Sequence, residues 1–203
     1  MSDEGSRKKV IRTSSVKRKT NETDIELELS LDGIGDSSIQ TDIGFFDHML
    51  STLSRHSNID MKLKCNGDLF VDYHHSVEDV GIVIGEAILK ALGNKAGIKR
   101  FSDKILPMDD ALVLCAIDVS GRPYFSYDVN FESEMIGKFN TELVEVFFNS
   151  LSMSLKINLH LKKLSGFNSH HIAEACFKSF ALCLKDAVSL TNSDSIPSVK
   201  GCI

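Results

Sequence analysis

The stretch His74-His75-Ser76-Val77-Glu78 begins a long amphipathic segment, and the same order of residue types returns as His170-His171-Ile172-Ala173-Glu174. Apolar residues recur at helical spacing after each copy, which predicts helices over residues 76–92 and 170–190. A pattern this specific, found once in each half of a 203-residue chain, indicates an internal duplication. The duplication decides the fold, because each half must then build a similar unit around its own His-His-x-x-Glu helix.

The predicted elements follow a similar order in both halves. In the first half we predict strands at 10–19, 24–31 and 59–65 and helices at 42–56 and 76–92. In the second half we predict strands at 111–119, 124–129 and 157–162 and helices at 140–153 and 170–190. This order is typical of the α+β class, with an antiparallel sheet packed against helices in each half. We expect a disordered arm at 1–9, a first half at 10–95 and a second half at 96–203, the halves forming one compact domain.

The His-His-x-x-Glu pattern is typical of metal binding. On a helix, residues three and four apart share a face, so each glutamate can lie beside either of its two histidines. Adjacent histidines differ by about 100° around the helix axis and therefore do not suit the same ion. The doubled pattern favours two metal ions, each shared between the copies. Imidazole and carboxylate ligands suit Mn, Fe, Co, Ni or Zn.

His48 is a further candidate ligand, since it lies on the predicted first helix within Phe46-Asp47-His48-Met49-Leu50. Taken alone, it is equally consistent with a metal ligand and with a histidine of the core. Superposing the two halves places Val146 at the position of His48, so a symmetric two-metal site would lack one histidine. His160 alternates with strand residues and is predicted to be structural.

A second group of residues is suited to a phosphate. Arginine forks and lysine ammonium groups are the usual protein ligands of phosphate. Taken singly, each such residue is better explained as a surface charge, and the group gains meaning only beside the metal pattern. Its members are Arg100, Arg122, Lys178, Ser198 and Lys200.

Composition limits the classes of function. The chain is 42% hydrophobic and 25% charged, as globular domains are, and it has no run of about 18 apolar residues that could span a membrane. Five scattered cysteines favour reduced thiols and a cytoplasmic protein over a disulfide framework. A net charge of −5 argues against a nucleic-acid binder. The basic cluster at 7–19 favours a solvated arm and strand face, with phosphate or nucleic-acid contact as the alternative.

Ordered motifs along nearly the whole chain, from about residue 10 to residue 201, resemble those of the imidazoleglycerol-phosphate dehydratases, lyases of histidine biosynthesis. The motifs that carry the resemblance are Lys19-Thr20-Asn21-Glu22-Thr23, Phe46-Asp47-His48-Met49-Leu50, Gly67-Asp68, His74-His75-Ser76-Val77-Glu78-Asp79, Ser120-Gly121-Arg122-Pro123-Tyr124, residues 166–175 and Ser198-Val199-Lys200-Gly201. So many motifs in the same order make the resemblance specific.

The resemblance implies two Mn²⁺ ions per site, at the interfaces between subunits of a large homo-oligomer that is typically a 24-mer. The ligands implied for one ion are His74, His171 and Glu78. The ligands implied for the other are His48, His75, His170 and Glu174.

The resemblance also implies a reaction. Phosphate contacts would fall to Arg100, Arg122, Lys178, Ser198 and Lys200, with Glu22 at the glycerol end of the substrate. Catalytic roles would fall to Glu22, Glu174 and His75. Dehydration of imidazoleglycerol phosphate removes a poorly acidic C–H proton and expels hydroxide. Metal ions at the imidazole and at a hydroxyl assist both steps, while a carboxylate carries the proton. The product would be imidazoleacetol phosphate, and no organic cofactor would be needed.

The chain departs from the family pattern at several positions. Val146 stands where the family has a histidine, Thr52 where a glutamine is expected, Val199 where Ser or Thr is usual, and Tyr73 where an Asp often precedes the histidine pair. Two hypotheses of function therefore stand. One is an active Mn²⁺-dependent dehydratase, and the other is a catalytically impaired member that serves as a metal-stabilised assembly or binding protein. A metal-dependent hydrolase is a weaker alternative, since the chain has no nucleophile elbow or zinc-protease motif.

Overall fold

Two four-stranded sheets lie on the outside of the protein, and four helices pack between them. The computed structural model describes residues 12–203, so the arm predicted at 1–9 lies outside the described residues. Each helix packs on the sheet of its own half and on a helix of the other half. Apolar side chains from both sheets and all four helices form one continuous core.

The first half supplies one sheet and two helices. Its elements are β1 (Thr13–Lys19), β2 (Thr23–Ser30), β3 (Ser37–Gln40), α1 (Gly44–Ser57), β4 (Asp60–Gly67) and α2 (His74–Leu92). The strands pair in the order β1-β2-β4-β3, with β3 and β4 parallel and the other pairs antiparallel. Alternation along β2 buries Ile25, Leu27 and Leu29, as the period-two pattern predicts.

The second half repeats this connectivity. Its elements are β5 (Phe101–Met108), β6 (Ala111–Asp118), β7 (Tyr124–Asp128), β8 (Met135–Ile136), β9 (Phe139–Asn140), α3 (Glu142–Leu155), β10 (Asn158–Ser165) and α4 (Ser169–Ala187). The sheet order is β5-β6-β10-β7, so every strand of the first sheet has a counterpart, and the β8–β9 hairpin is the addition. The helices match in length, with 14 residues in α1 and α3 and 19 in α2 and α4. The predicted α+β class with two similar halves is confirmed.

The sheet edges differ from the sequence prediction. That prediction omits β3, β5, β8 and β9 and makes each sheet antiparallel, whereas one edge pair in each sheet is parallel. β3 has only four residues, and β5 contains Pro107, which is tolerated because β5 is an edge strand. The parallel pairing of β3 with β4 follows from the connecting helix α1, since a helical crossover returns the chain in the same direction.

The early basic residues pair with acids wherever the structure describes them. Ion pairs join Arg12 to Asp32, Lys17 to Glu26, Arg18 to Asp79 and Lys19 to Asp24. These pairings favour the strand-face interpretation of the basic cluster over nucleic-acid contact. Within residues 12–203, no helix combines the length and the apolar character that crossing a bilayer would require.

Helices α2 and α3 approach each other closely at two glycines. A Cβ built on Gly81 would lie 2.8 Å from the carbonyl oxygen of Phe147, and one built on Gly85 would lie 2.6 Å from the carbonyl oxygen of Leu151. Both neighbours are backbone atoms, which cannot rotate away. Small residues one turn apart on α2 therefore allow helices from different halves to pack together.

Replacing Gly85 by alanine is expected to destabilise the protein by roughly 1–3 kcal/mol, because the added methyl group overlaps the α3 backbone. Gly44→Ala is the matched control. A Cβ at Gly44 meets no atom within 4 Å, so this change is expected to be neutral or to stabilise by up to ~1 kcal/mol. Chemical-denaturation midpoints measure both effects, and equal stability of the two variants would contradict the close α2–α3 packing.

Candidate metal centre

Two histidines and a glutamate come together at the contact between α1 and α4. The cluster consists of His48 on α1 with His170 and Glu174 on α4, and its potential ligand atoms all lie within 4.8 Å of one another. His170 Nε2 is 3.3 Å from Glu174 Oε2, and the rings of His48 and His170 have centroids 6.3 Å apart. Across the described part of the chain, no other group of three histidine, cysteine or acidic residues meets this distance. Two imidazoles and a carboxylate fit a divalent transition metal.

Local interactions hold His170 in place. The side-chain oxygen of Asn168 caps α4 by accepting hydrogen bonds from the backbone N–H groups of His170 (3.0 Å) and His171 (3.3 Å). The His170 ring packs edge-on against Phe45, with centroids 5.3 Å apart, and Phe45 packs against Phe139 at 5.1 Å. Because Phe139 belongs to the β8–β9 hairpin, the added hairpin supports the cluster.

Lys178 keeps Glu174 in its charged form. Its ammonium group is 2.8 Å from Glu174 Oε1, one turn along α4, as the i, i+4 spacing predicts. Burial by itself would raise the pKa of Glu174. The hydrogen bond and charge of Lys178, with contributions from His48 and His170, outweigh burial and lower that pKa. Glu174 is therefore available as a carboxylate that can hold a cation or accept a proton.

The equivalent position between α2 and α3 has only two potential metal ligands among the described residues, a histidine and a glutamate. His74 and Glu78 are one turn apart on α2, and Val146 occupies the same position in α3 that His48 occupies in α1. The two glycines of α2 face successive turns of α3, so Glu78, one turn earlier, faces the turn that contains Val146. The duplication thus places a valine where the other helix pair has an imidazole.

His75 lies outside the cluster and contacts two acids. Its Nδ1 is 3.0 Å from Asp68 Oδ2, and its Nε2 is 3.6 Å from Glu22 Oε1. The hydrogen bond with Asp68 is the main reason that the pKa of His75 is raised. Since Glu22 lies between β1 and β2 and Asp68 follows β4, two segments of the first half meet at His75.

His171 has a similar arrangement in the second half. Its Nδ1 is 2.6 Å from Asp110 Oδ1, and its Nε2 is 3.5 Å from Asp109 Oδ2. Both acids lie between β5 and β6, the counterpart of the β1–β2 turn. Asp110 also accepts backbone hydrogen bonds from Asn168 (3.0 Å) and Phe167 (2.7 Å). These two bonds, and then the bond with His171, hold the pKa of Asp110 well below its usual range.

The predicted phosphate-binding residues fall in two places. Lys178 belongs with the metal cluster, whereas the others lie at or near the C-terminal segment. Gly121 approaches that segment so closely that a Cβ built on it would lie 2.7 Å from the carbonyl carbon of Ile203, which places the turn of Arg122 beside the segment. Ser198 and Lys200 are part of the segment itself, and the backbone N–H of Lys200 donates to Ser198 Oγ at 3.2 Å.

Arg100 ties the C-terminal segment to the second sheet. Its guanidinium donates to both carboxylate oxygens of Asp118, at 2.7 and 3.2 Å, and to the carbonyl oxygen of Pro197 at 2.8 Å. Asp118 ends β6, and Pro197 immediately precedes Ser198. Arg100 therefore anchors the backbone next to Ser198, one of the residues grouped with it from the sequence.

Within one chain the structure brings together three of the seven predicted metal ligands. The four that lie outside the cluster are His74, His75, Glu78 and His171. Asp68 and Asp110 receive no role from the sequence patterns, although each binds a histidine of the repeated pattern. Their separations from those histidines along the chain differ between the halves, so no periodic signal indicates them.

A duplicated α+β fold with a histidine–carboxylate cluster between its halves defines a class of candidate metal-dependent enzymes. A family model described as imidazoleglycerol-phosphate dehydratase matches residues 41–184. The chain therefore belongs to the imidazoleglycerol-phosphate dehydratase family, as its motifs predict, and members of this family are hydro-lyases of histidine biosynthesis.

Individual relatives agree with the family model. The imidazoleglycerol-phosphate dehydratase of Jannaschia sp. (strain CCS1) is 51% identical over 193 residues, covering 94% of this chain and 99% of that protein. The enzyme of the same name from Caldicellulosiruptor saccharolyticus is 50% identical over 190 residues, covering 94% and 97%. The crystal structure of the Staphylococcus aureus dehydratase superposes with a TM-score of 0.81 at 34% identity, covering 88% of this chain and 99% of that one.

Proposed function

We propose that this protein removes water from D-erythro-imidazoleglycerol phosphate to give imidazoleacetol phosphate, a step of L-histidine biosynthesis in the cytoplasm. The observation that carries the proposal is the His48–His170–Glu174 cluster. It occurs in a chain that matches proteins named imidazoleglycerol-phosphate dehydratase over almost their full length. Those relatives support the active dehydratase rather than the impaired member considered as its alternative.

Mn²⁺ is the ion that we assign to the site, with two ions per active site. The residues assigned to one ion are His48, His75, His170 and Glu174, and those assigned to the other are His74, Glu78 and His171. Imidazole and carboxylate donors fit Mn²⁺. When bound, such ions supply Lewis acidity, which acidifies the groups that they contact.

Two carboxylates are suited to carry protons. Glu174 is kept ionised by Lys178 beside the two histidines of the cluster, so it can accept the C–H proton of the substrate. Glu22 is 3.6 Å from His75 Nε2, on the exposed β1–β2 turn, where it is suited to contact the glycerol end of the substrate. These contacts support catalytic roles for Glu22, Glu174 and His75.

The substrate phosphate is assigned to the cationic groups near the C-terminal segment and to Lys178. Arg122 and Lys200 are exposed and can approach a phosphate from solvent. Arg100 donates hydrogen bonds to Asp118 and to the carbonyl oxygen of Pro197, which fixes the backbone next to Ser198. The phosphate subsite that we propose consists of Arg100, Arg122, Lys178, Ser198 and Lys200.

The direct test is turnover by the purified protein. Chelator-treated protein is titrated with Mn²⁺ in the presence of imidazoleglycerol phosphate, and imidazoleacetol phosphate is measured by mass spectrometry, with Glu174→Gln as the inactive control. Product that depends on Mn²⁺, together with growth of a dehydratase-deficient strain on medium without histidine, is the expected result. Absence of product at every Mn²⁺ concentration, with no growth, would reject the proposal.

We also propose that the sites are completed between chains of a homo-oligomer, a 24-mer by family resemblance. His75 and His171 support this proposal, because both rings are partly exposed and lie outside the cluster of their own chain. EDTA is expected to reduce the assembly to smaller species, since metal binding and assembly would then be coupled. Size exclusion with light scattering measures this effect, and restored size on adding Mn²⁺ is the control. An assembly that keeps its mass in EDTA would contradict the prediction.

A further inference from the structure

We infer that Asp68 and Asp110 are positioning residues that keep the proton of a histidine on Nδ1, so that Nε2 of His75 and of His171 is the free ligand atom. The inference rests on the proposed metal function and adds two carboxylates that act through the histidines. It follows from the hydrogen bonds of the two rings.

The distances assign the proton in both rings. An ionised carboxylate only accepts hydrogen bonds, and a neutral imidazole has a single N–H to donate. His75 Nδ1 lies 3.0 Å from Asp68, whereas its Nε2 lies 3.6 Å from Glu22. His171 Nδ1 lies 2.6 Å from Asp110, whereas its Nε2 lies 3.5 Å from the nearer acid on that side. Only the Nδ1 contacts are within hydrogen-bond range, so each ring keeps its proton there.

Local hydrogen bonds hold the Asp110 carboxylate and the Asp68 backbone in place. Asp110 Oδ2 accepts backbone hydrogen bonds from Phe167 and Asn168, in the segment that leads into α4, which leaves Oδ1 directed at His171. The backbone N–H of Asp68 donates to the carbonyl oxygen of Glu22, and the carbonyl oxygen of Asp68 accepts from Val71. The Asp110 carboxylate cannot turn away from its imidazole without breaking these side-chain bonds. The Asp68 bonds fix the backbone from which its carboxylate reaches His75.

The two halves reach this arrangement from different elements. Asp68 follows β4, whereas Asp110 precedes β6, so these acids are not equivalent positions of the duplicated unit. The same contact made from two unrelated positions indicates that the orientation of the second histidine matters in both halves. Carboxylates that hold the distal nitrogen of a metal-binding histidine are a general means of orienting such ligands.

The experiment compares tautomers and metal binding in matched variants. Asp60 is the control, since its carboxylate accepts backbone hydrogen bonds from Ile34 (2.9 Å) and Asp36 (2.8 Å). Asp110 accepts similar backbone hydrogen bonds. Asp60 also lies at the other end of β4 from Asp68. Long-range ¹H–¹⁵N correlation spectra of metal-free, ¹⁵N-labelled protein, recorded where imidazoles are neutral, report which ring nitrogen carries the proton. Mn²⁺ titration then gives the affinity of each variant.

In the parent protein, His75 and His171 are expected to carry the proton on Nδ1. Asp110→Ala is expected to shift His171 alone away from this tautomer and to weaken Mn²⁺ binding by roughly 10- to 100-fold, with partial rescue in Asp110→Asn. Asp68→Ala should do the same to His75, and Asp60→Ala should change neither ring nor affinity.

Two results would overturn the inference: an Nε2 proton on either ring in the parent protein, or an equal loss of Mn²⁺ affinity in Asp60→Ala. If Asp110→Ala does not fold, the tautomers of the parent protein and the Mn²⁺ affinity of Asp110→Asn still test the inference. The tautomers are read without metal or substrate, so they can support the inference even if the dehydratase assay fails.

Discussion

His170→Ala protein is expected to lose at least about 100-fold in Mn²⁺ affinity at the His48–His170–Glu174 cluster and to lose turnover with it. The physical reason is that His170 is central to the cluster, with Nε2 3.3 Å from Glu174 and its ring next to His48. Changes that only disturb the orientation of a ligand already cost ~10- to 100-fold in metal affinity, so removal of an imidazole ligand should cost more. Isothermal titration with Mn²⁺ and the product assay measure the two losses.

His160→Ala is the matched control for this substitution. His160 lies on β10, is exposed, and packs its ring on Tyr124 with centroids 5.5 Å apart, so its removal also deletes an imidazole from the second half. Unchanged Mn²⁺ affinity and turnover are expected. Equal losses in both variants would show that the effect of His170→Ala is not specific to the cluster, and near-normal metal binding in His170→Ala would remove the basis of the proposed function.

Val146→His is expected to raise the Mn²⁺ affinity of the protein. An imidazole there would face Glu78 and His74 between α2 and α3, as His48 faces the ligands of α4, so the metal site of His74 and Glu78 should bind Mn²⁺ roughly 10- to 100-fold more tightly. Val146 is half-buried, so the larger ring is accommodated towards the helix surface. The number of ions per chain at limiting Mn²⁺, measured by elemental analysis after dialysis, reports the change without reference to activity.

Two variants control for the substitution itself. Val146→Leu changes the volume without adding a ligand, and Met153→His adds a histidine two turns further along the same face of α3, where the side chain is exposed. Neither is expected to raise the metal content. A rise in Met153→His equal to that in Val146→His would mean that the added histidine binds the ion nonspecifically, and no rise in either would show that Val146 does not face the ligands of α2.

The long elements were predictable because their periodicity extends over many residues. The helix predicted at 76–92 is observed as α2, His74–Leu92, and the alternation at 24–31 is observed as β2, Thr23–Ser30. Short edge elements carry too few residues for such a signal, which explains why β3 and the β8–β9 hairpin were missed. The hairpin matters to the site, since its Phe139 supports Phe45 against His170. Asp68 and Asp110 were missed for a different reason, because only contacts made by the folded chain bring them to histidines.

The sequence by itself determined the duplication, the types of metal ligand and the absence of a histidine at Val146, because these are properties of repeated residue patterns. It also placed His170 and Glu174 on one face, because helical periodicity does so for residues four apart. Only the tertiary structure decided that α1 packs on α4 and α2 on α3, so that the His48–His170–Glu174 cluster draws on both halves. The physical reason is that periodicity specifies which face of a helix is buried, whereas the choice of neighbour depends on complementary surfaces, such as the glycines of α2 against the backbone of α3.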